Sequence, residues 1–477
     1  MTDISNSTVG QSQNVQDVVN TSATKLDADG VFEWVTSGEV VDVANAITDL
    51  GTRAEKDAAW EQIDRPTFIS EMYGAGAGGS VSADDRATIF QNVALQADGE
   101  TAAAFAQDLA ASGDSVEGYE RLQEFSDIYA EHASPQDKLD FIDALAGDTT
   151  SGPEADALRY GLGYGGNDSY SGDAEARAVG TVLASLDGSY ATEALGSLTD
   201  GQLQAVAEAG IELNGGFFNG TYSGSYDVSG YTGVAETVAQ YGTNEQRAIV
   251  FSAGGGRLDA VAATPNTFDK GAAVASITES MTGVLTADTN GVMNELAYDA
   301  RLDDGRALTN YAEQLIAAGD TDVLGGIQTQ LMLGNTGGGD HADRFNSVNA
   351  QGIHEVAGRL GYFSGSVQNA VDNMKADADA QKAVVTDIIG TVSGLTSGAV
   401  GIAYPVAGFA VGAGGEAVKR AADALLDQPR GTVDEQIRDS VLPFDPQTNN
   451  VVRSSDAFGE FQPMIDQVEN ANRRTPD

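Results

Sequence analysis

The segment from Ile388 to Gly415 contains no charged residue, although the 477-residue chain has a net charge of −46. It reads IIGTVSGLTSGAVGIAYPVAGFAVGAGG. An uncharged helix of about 20 residues is long enough to cross the hydrocarbon core of a bilayer. The sequence GIAYP at 401–405 divides the run, because a proline cannot continue a regular α-helix. The segment therefore predicts two short helices joined by a turn.

Glycines recur in this hairpin at a spacing of four residues, which lays them on one helix face and lets two backbones approach closely. The residues predicted to form the hairpin faces and the turn are Gly390, Gly394, Gly398, Tyr404, Pro405, Gly408, Phe409 and Gly412. The pattern is compatible with a kinked transmembrane span, a re-entrant hairpin or a hairpin buried in a soluble core. A permanent membrane anchor is a further alternative. Glycine and serine contribute little transfer free energy, so these alternatives stay open.

Acidic residues outnumber basic residues by 71 to 25. A surface of this charge repels nucleic acids and anionic lipids at neutral pH, so we expect no nucleic-acid partner. The same excess is typical of proteins from salty habitats, where it reports the environment. The chain has no cysteine, which excludes disulfides, thiolate metal sites and cysteine nucleophiles.

The residue patterns of common enzyme sites are missing from the sequence. The histidines His132, His341 and His354 stand apart from one another, and no HExxH motif is present. The glycine cluster FSAGGG at 251–256 lacks the lysine of a phosphate-binding loop. We therefore predict a protein that is not an enzyme and that binds no cofactor and no specific metal ion.

Most of the chain follows the period of short amphipathic helices. Residues 1–25 are polar and predict a disordered tail. Residues 26–350 predict a body of helical units, and residues 351–428 add a long amphipathic helix and the hydrophobic hairpin. Residues 429–477 contain several prolines and predict an extended tail. The predicted fold is all-α, with irregular stacked helical units followed by the amphipathic helix and the glycine-rich hairpin.

Several helices are predicted to begin with the same short motif. A Ser, Thr or Asp that can cap the helix is followed four residues later by Arg or Lys, and acidic residues often lie between them. The predicted capping residues are Thr52, Ser82, Ser134, Asp173, Thr243 and Asp340. Their spacing along the chain is irregular, which indicates stacked helical units and not a repeat of fixed length.

A glycine-, tyrosine- and serine-rich segment at 214–233 interrupts the helical pattern. Its aromatic residues alternate loosely with small ones, which is compatible with a small β-hairpin. An exposed aromatic loop that binds a partner or a glycan is the alternative. A packed segment is the preferred interpretation.

The block from Glu355 to Gln428 resembles an arrangement in bacterial polymorphic-toxin and secreted-effector proteins. In those proteins a long charged helix leads into a Gly/Ala-rich hairpin and a second helix. The helix starts ADDRATIF and LTDGQLQAV also look like the N-terminal modules of such proteins. The order of elements is similar to that of colicin-type pore formers, although this hairpin is richer in glycine and serine.

The resemblance implies a non-enzymatic secreted effector or toxin that inserts into a membrane, as a pore former does, through residues 388–415. It implies secretion machinery or a chaperone, the target-cell membrane and an immunity protein as partners. The polar N-terminus does not have the pattern of a Sec signal peptide, so we expect synthesis in the bacterial cytoplasm and a Sec-independent route of secretion. The alternatives are a harpin-like translocation helper, which has a similar composition, and a scaffold component of a phage or injection system.

Overall fold

The computed structural model describes residues 14–22, 37–74, 80–113, 115–147, 170–218, 221–263, 268–298 and 305–333, individual residues between 359 and 373, and residues 444–445 and 450–451. The described chain is predominantly α-helical, which confirms the predicted all-α class. The chain divides into two compact units, Met1–Gly242 and Thr243–Asp477. The boundary between the units falls inside residues 26–350, which the sequence groups into one body.

The first unit is built around one central helix. Its described helices are α1 (14–22), α2 (Ser37–Thr48), α3 (Arg53–Gln62), α4 (Arg65–Met72), α5 (Ala83–Gln96), α6 (Gly99–Ala110), α7 (Ser115–His132), α8 (Pro135–Ala146), α9 (Tyr170–Ala184), α10 (Gly188–Ser197), α11 (Asp200–Ala209) and α12 (Ser229–Tyr241). Helix α9 packs against α6, α7, α8, α10, α11 and α12, so it forms the centre of the unit.

Helix α1 lies within the segment that the sequence predicts as disordered. Val15, Val18 and Val19 are spaced so that they lie on one side of a helix, and Val15 is buried. These few apolar residues are sufficient for a short helix in a segment that is otherwise polar.

A β-hairpin connects α11 to α12. Strands β1 (Glu212–Phe218) and β2 (Thr221–Asp227) pair antiparallel, and their register places Glu212 opposite Asp227. Of the two alternatives for the aromatic segment at 214–233, the structure therefore shows the β-hairpin. The last residues of that segment belong to α12.

Buried aromatic rings form a connected cluster through the N-terminal half of the first unit. The rings are those of Trp60, Phe68, Phe90, Phe105, Phe125, Tyr129 and Phe141, and neighbouring centroids lie 4.6–6.4 Å apart. Full burial of one large apolar side chain contributes about 1.5–3 kcal/mol. The indole Nε1 of Trp60 donates a hydrogen bond to Gln96 Oε1 at 3.3 Å, so its polar atom is also satisfied.

The structure confirms the predicted caps at Thr52, Ser82, Ser134 and Thr243. Each side-chain oxygen accepts a hydrogen bond at 3.2 Å from the backbone N–H three residues later. The predicted cap at Asp173 is wrong, because α9 already begins at Tyr170 and Asp173 lies in its first turn. The predicted cap Asp340 lies outside the described residues.

The second unit is also arranged around a central helix. Its described elements are α13 (Asn244–Ala263), β3 (Phe268–Asp269), α14 (Gly271–Ala287), α15 (Thr289–Tyr298), α16 (Arg306–Ala318), α17 (Thr321–Leu333), β4 (Phe444–Asp445) and β5 (Asn450–Val451). Helix α13 packs against α14, α15 and α16, and the Phe251 and Tyr311 rings lie 5.4 Å apart. The glycine cluster at 251–256 lies inside α13, so it forms helix and not a loop.

Candidate functional site

The residues predicted to form the uncharged hairpin lie outside the described residues. They are Gly390, Gly394, Gly398, Tyr404, Pro405, Gly408, Phe409 and Gly412. The described residue that precedes them most closely in the chain is Asn373. Among the described residues, no helix is long and apolar enough to cross a membrane.

The described residues between 359 and 373 are helical and lie inside the second unit. Phe363, Val367 and Ala370 are fully buried, and Tyr362 is almost fully buried. This spacing of three and four residues places them on one helix face. The sequence predicts an amphipathic helix here, but the burial is not confined to its apolar face, because Arg359, Ser366 and Asn369 are buried as well. We call the described residues between 359 and 373 the anchor segment, because they precede the uncharged hairpin in the chain.

Polar contacts attach both ends of the anchor segment to neighbouring helices. At one end, Arg359 Nη1 donates a hydrogen bond to Asn294 Oδ1 on α15 at 2.8 Å. At the other end, Asn373 Nδ2 donates to Glu313 Oε1 on α16 at 2.8 Å. These contacts, together with the buried apolar face, fix the segment against α15 and α16.

Several buried polar atoms of the second unit have no hydrogen-bond partner within the described structure. They include Ser366 Oγ in the anchor segment, Thr309 Oγ1 on α16 and both amide atoms of Gln328 on α17. Thr309 precedes Glu313 by one helical turn, so it lies on the face of α16 that contacts Asn373. A buried polar group without a partner costs about 1–3 kcal/mol. The burial of these atoms therefore lowers the stability of the second unit.

A separate cluster of charged groups surrounds Arg177 on the central helix α9 of the first unit. The Arg177 side chain is 4 % exposed, and its Nη2 lies 2.5 Å from Asp227 Oδ2. Its Nε donates to Gln123 Oε1 on α7 at 3.0 Å, and its Nη1 lies 3.6 Å from Glu212 Oε2. The Tyr119 hydroxyl of α7 donates to the same Glu212 oxygen at 2.8 Å. The cluster thus joins both strands of the β-hairpin to α7 and α9.

The surroundings of these carboxyl groups shift their pKa values in opposite directions. Burial raises the pKa of Glu212 and of the neighbouring Asp127 above their ordinary values. Burial acts in the same direction on Asp227, but hydrogen bonds from Ser229 and the charge of Arg177 outweigh it and lower the Asp227 pKa. The ion pair between Arg177 and Asp227 therefore persists at mildly acidic pH, whereas Glu212 and Asp127 bind protons more readily than ordinary carboxylates.

The Arg177 cluster connects structural elements and offers no open binding surface, since its guanidinium is almost inaccessible to solvent. Throughout the described ranges, no group of three or more His, Asp or Glu side chains is arranged to hold a metal ion. The sequence placed Arg177 in a helix-start motif and did not predict this cluster. The contacts depend on the register of a hairpin that lies far along the chain.

Comparison of the sequence with protein-family models and with curated proteins finds no match. The resemblance of residues 355–428 to secreted effectors therefore stays a prediction. The described structure shows helical residues between 359 and 373 that are buried in the second unit, and two acidic helical units.

Proposed function

We propose that this protein is a non-enzymatic secreted effector whose two acidic helical units carry the uncharged 388–415 segment to a target membrane. The observation that carries the proposal is the burial of the anchor segment in the second unit. This burial attaches Asn373, which precedes Ile388 by 15 residues in the chain, to a folded acidic body.

The surface of the described residues supports separate roles for the acidic helical body and the uncharged hairpin. Among the large apolar side chains described, only Leu95, Tyr190 and Tyr298 are exposed. The charge of −46 opposes approach to an anionic membrane at neutral pH, and protonation of carboxylates weakens this repulsion. The uncharged segment would therefore supply the membrane contact, and the body would keep the protein dissolved until the pH falls.

The proposal implies three partners. Secretion machinery or a secretion chaperone would export the chain, the target-cell membrane would receive it, and an immunity protein would protect the producing cell. A harpin-like helper would instead leave lipid vesicles intact, and a scaffold component would assemble without lipid. Vesicle experiments therefore separate the proposed function from both alternatives.

Replacement of Gly394 by leucine tests the proposed role of the hairpin. The added side chain separates two closely approaching backbones, a conflict of about 1–3 kcal/mol that should reduce dye leakage from vesicles at least about fivefold. The melting temperature of the body should not change. Gly196→Leu is the control, because Gly196 lies on an exposed face of α10 with open space around it. A lower melting temperature for Gly394→Leu would identify residues 388–415 as a buried core hairpin, and the proposal would fail. It would also fail if neither leakage nor melting changed.

A further inference from the structure

We propose that the Arg177 cluster binds a proton in mild acid and then holds the β-hairpin to α7 and α9 more firmly than at neutral pH. The inference concerns the folded first unit alone. It does not rest on the proposed function, because it needs no lipid and no partner. A fall in pH from neutrality should therefore reduce local opening of the hairpin.

The cluster lies where the hairpin joins the helices of the first unit. Strands β1 and β2 pair with each other over their whole length, beginning at Glu212 and Asp227. Among the described helices of this unit, none packs extensively along the two strands. Glu212 contacts Tyr119 and Asp227 contacts Arg177, and these contacts attach the ends of the strands to α7 and α9. Because a two-stranded hairpin is marginally stable by itself, the strength of this attachment affects how often the strands open.

Negative charge exceeds positive charge in the cluster at neutral pH. The charged and titratable side chains that act on Glu212 come from α7, α9 and β2; they are Tyr119, Glu120, Arg177 and Asp227. The strand register places the carboxylates of Glu212 and Asp227 directly opposite each other, and like charges at opposed positions destabilise paired strands. Removal of one negative charge therefore relieves repulsion that the single guanidinium does not balance.

Glu212 is the carboxylate that can accept a proton at the lower cost. Its Oε2 lies 3.6 Å from Arg177 Nη1, and that nitrogen has no hydrogen-bond partner in the described structure. The hydrogen bond that Glu212 accepts from the Tyr119 hydroxyl survives protonation, because the proton can occupy the other carboxyl oxygen. Burial raises the pKa of Glu212, in agreement with these contacts.

Asp227 keeps its charge when Glu212 is protonated. Its Oδ2 lies 2.5 Å from Arg177 Nη2, and its Oδ1 accepts hydrogen bonds from the Ser229 N–H at 2.9 Å and from the Ser229 hydroxyl at 2.7 Å. These contacts lower the pKa of Asp227, although burial acts against them. The contribution of Glu212 to the attachment increases as the pH falls through its raised pKa, and that of Asp227 is lost as the pH falls through its lowered pKa. The attachment should be strongest between these two pKa values.

Hydrogen–deuterium exchange of the full-length protein at about pH 7 and at about pH 5 tests the proposal. The exchange rate of an unstructured peptide at the same pH is divided by each measured rate, which gives a protection factor free of the chemical effect of pH. Amides of β1 and β2 should be less protected than those of the central helix α9 at both pH values, because the hairpin opens locally. Their protection should rise about fivefold at the lower pH, the change expected when one pair of opposed like charges is removed.

Two variants separate proton binding by Glu212 from a purely structural role. Glu212→Gln imitates the protonated side chain, so its hairpin protection at the higher pH should equal the wild-type value at the lower pH and should not rise further in acid. Tyr119→Phe removes a donor whose hydrogen bond is stronger to a charged carboxylate than to a neutral carboxyl group. It should lower hairpin protection more at the higher pH than at the lower pH, whereas a packing role alone would lower both equally.

Glu193→Gln is the matched control, because it removes the same charge from an exposed position of α10. Its hairpin protection should follow the wild type at both pH values, and loss of the pH dependence in this variant would overturn the proposal. The proposal is also overturned if the wild-type hairpin amides exchange only together with α9, if their protection does not rise in acid, or if Glu212→Gln keeps the wild-type pH dependence. Lipid is absent throughout, so the result is independent of the vesicle experiments.

Discussion

Arginine side chains connect helices that are distant in this acidic sequence. Arg53 Nη2 lies 2.7 Å from Asp137 Oδ2, and Arg65 Nε lies 2.7 Å from Asp108 Oδ2. Arg86 donates to the Val81 carbonyl at 2.9 Å and also contacts Glu124 on α7. Each contact places a positive charge where neighbouring carboxylates would otherwise repel one another. Because the chain has only 25 basic residues and 71 acidic ones, the stabilising effect of these arginines depends on their contacts with carboxylates.

Glu212→Gln should stabilise the first unit at neutral pH. The folded-state pKa of Glu212 lies above its ordinary value of 4.5, chiefly because of burial, so the native state binds protons more readily than the unfolded state. Its contribution to stability therefore increases as the pH falls from neutrality through the raised pKa, and is lost as the pH rises. Glutamine imitates the protonated form. We expect a melting temperature about 2–4 °C higher near neutrality and a flatter pH dependence, measured by circular dichroism.

Asp227→Asn should have the opposite effect on stability. The pKa of Asp227 is lowered, and its negative charge pairs with the buried Arg177. Loss of that carboxylate leaves the buried Arg177 without its closest ion-pair partner. Because the Asp227 side chain is 38 % exposed, solvent screens the interaction, and we expect a destabilisation of about 1–3 kcal/mol. A destabilised Glu212→Gln variant, or an Asp227→Asn variant as stable as the wild type, would contradict the assigned roles.

At the scale of elements, two adjacent glycines of α13 have opposite structural roles. A Cβ atom at Gly255 would lie 2.5 Å from the Cα of Ala307 on α16, whereas a Cβ at Gly256 meets nothing within 4 Å. We expect Gly255→Ala to destabilise the second unit by about 1–3 kcal/mol, because it forces α13 and α16 apart. Gly256→Ala should stabilise it by about 0.5–1 kcal/mol through helix propensity. Thermal melting of the two variants tests both predicted changes in stability. Equal melting temperatures for the two variants would contradict the close approach of α13 and α16 at Gly255.

Local features of these elements could be predicted from the sequence, and long-range ones could not. The caps at Thr52, Ser82, Ser134 and Thr243 depend on hydrogen bonds within three residues, so the motif alone was sufficient. Asp173 was misplaced because the helix begins three residues earlier, at Tyr170, so that Asp173 lies inside its first turn.

The same distinction applies to the candidate sites. The apolar spacing of the anchor segment accounts for the burial of Phe363, Val367 and Ala370. It did not indicate that Ser366 and Asn369 are buried too, or that Asn294 and Glu313 are partners of the segment. The Arg177 cluster depends on a strand register that brings Glu212 opposite Asp227, which a local pattern does not encode.

At the scale of the whole molecule, mild acid should reduce the charge of the body without unfolding it. The carboxyl groups of Glu71, Asp127 and Glu212 have raised pKa values, in each case chiefly because of burial. They bind protons early as the pH falls, and by the linkage described above their protonation favours the folded state. At mildly acidic pH the protein would thus combine a folded body with an uncharged segment that meets less electrostatic repulsion at a membrane.

Flotation with vesicles that contain anionic phosphatidylserine, at about pH 7 and at about pH 4.5 where many carboxyl groups are protonated, tests this claim most directly. The wild-type protein should enter the lipid fraction only at the lower pH, and samples without vesicles control for aggregation. Phe409→Arg places a permanent charge in the uncharged segment at a cost of about 2.5–3.5 kcal/mol at the bilayer centre, so it should stay in the aqueous fraction. Ser189→Arg adds the same charge to an exposed face of α10 and should float like the wild type. Absence of the wild-type protein from lipid at both pH values, or undiminished flotation of Phe409→Arg, would contradict the account.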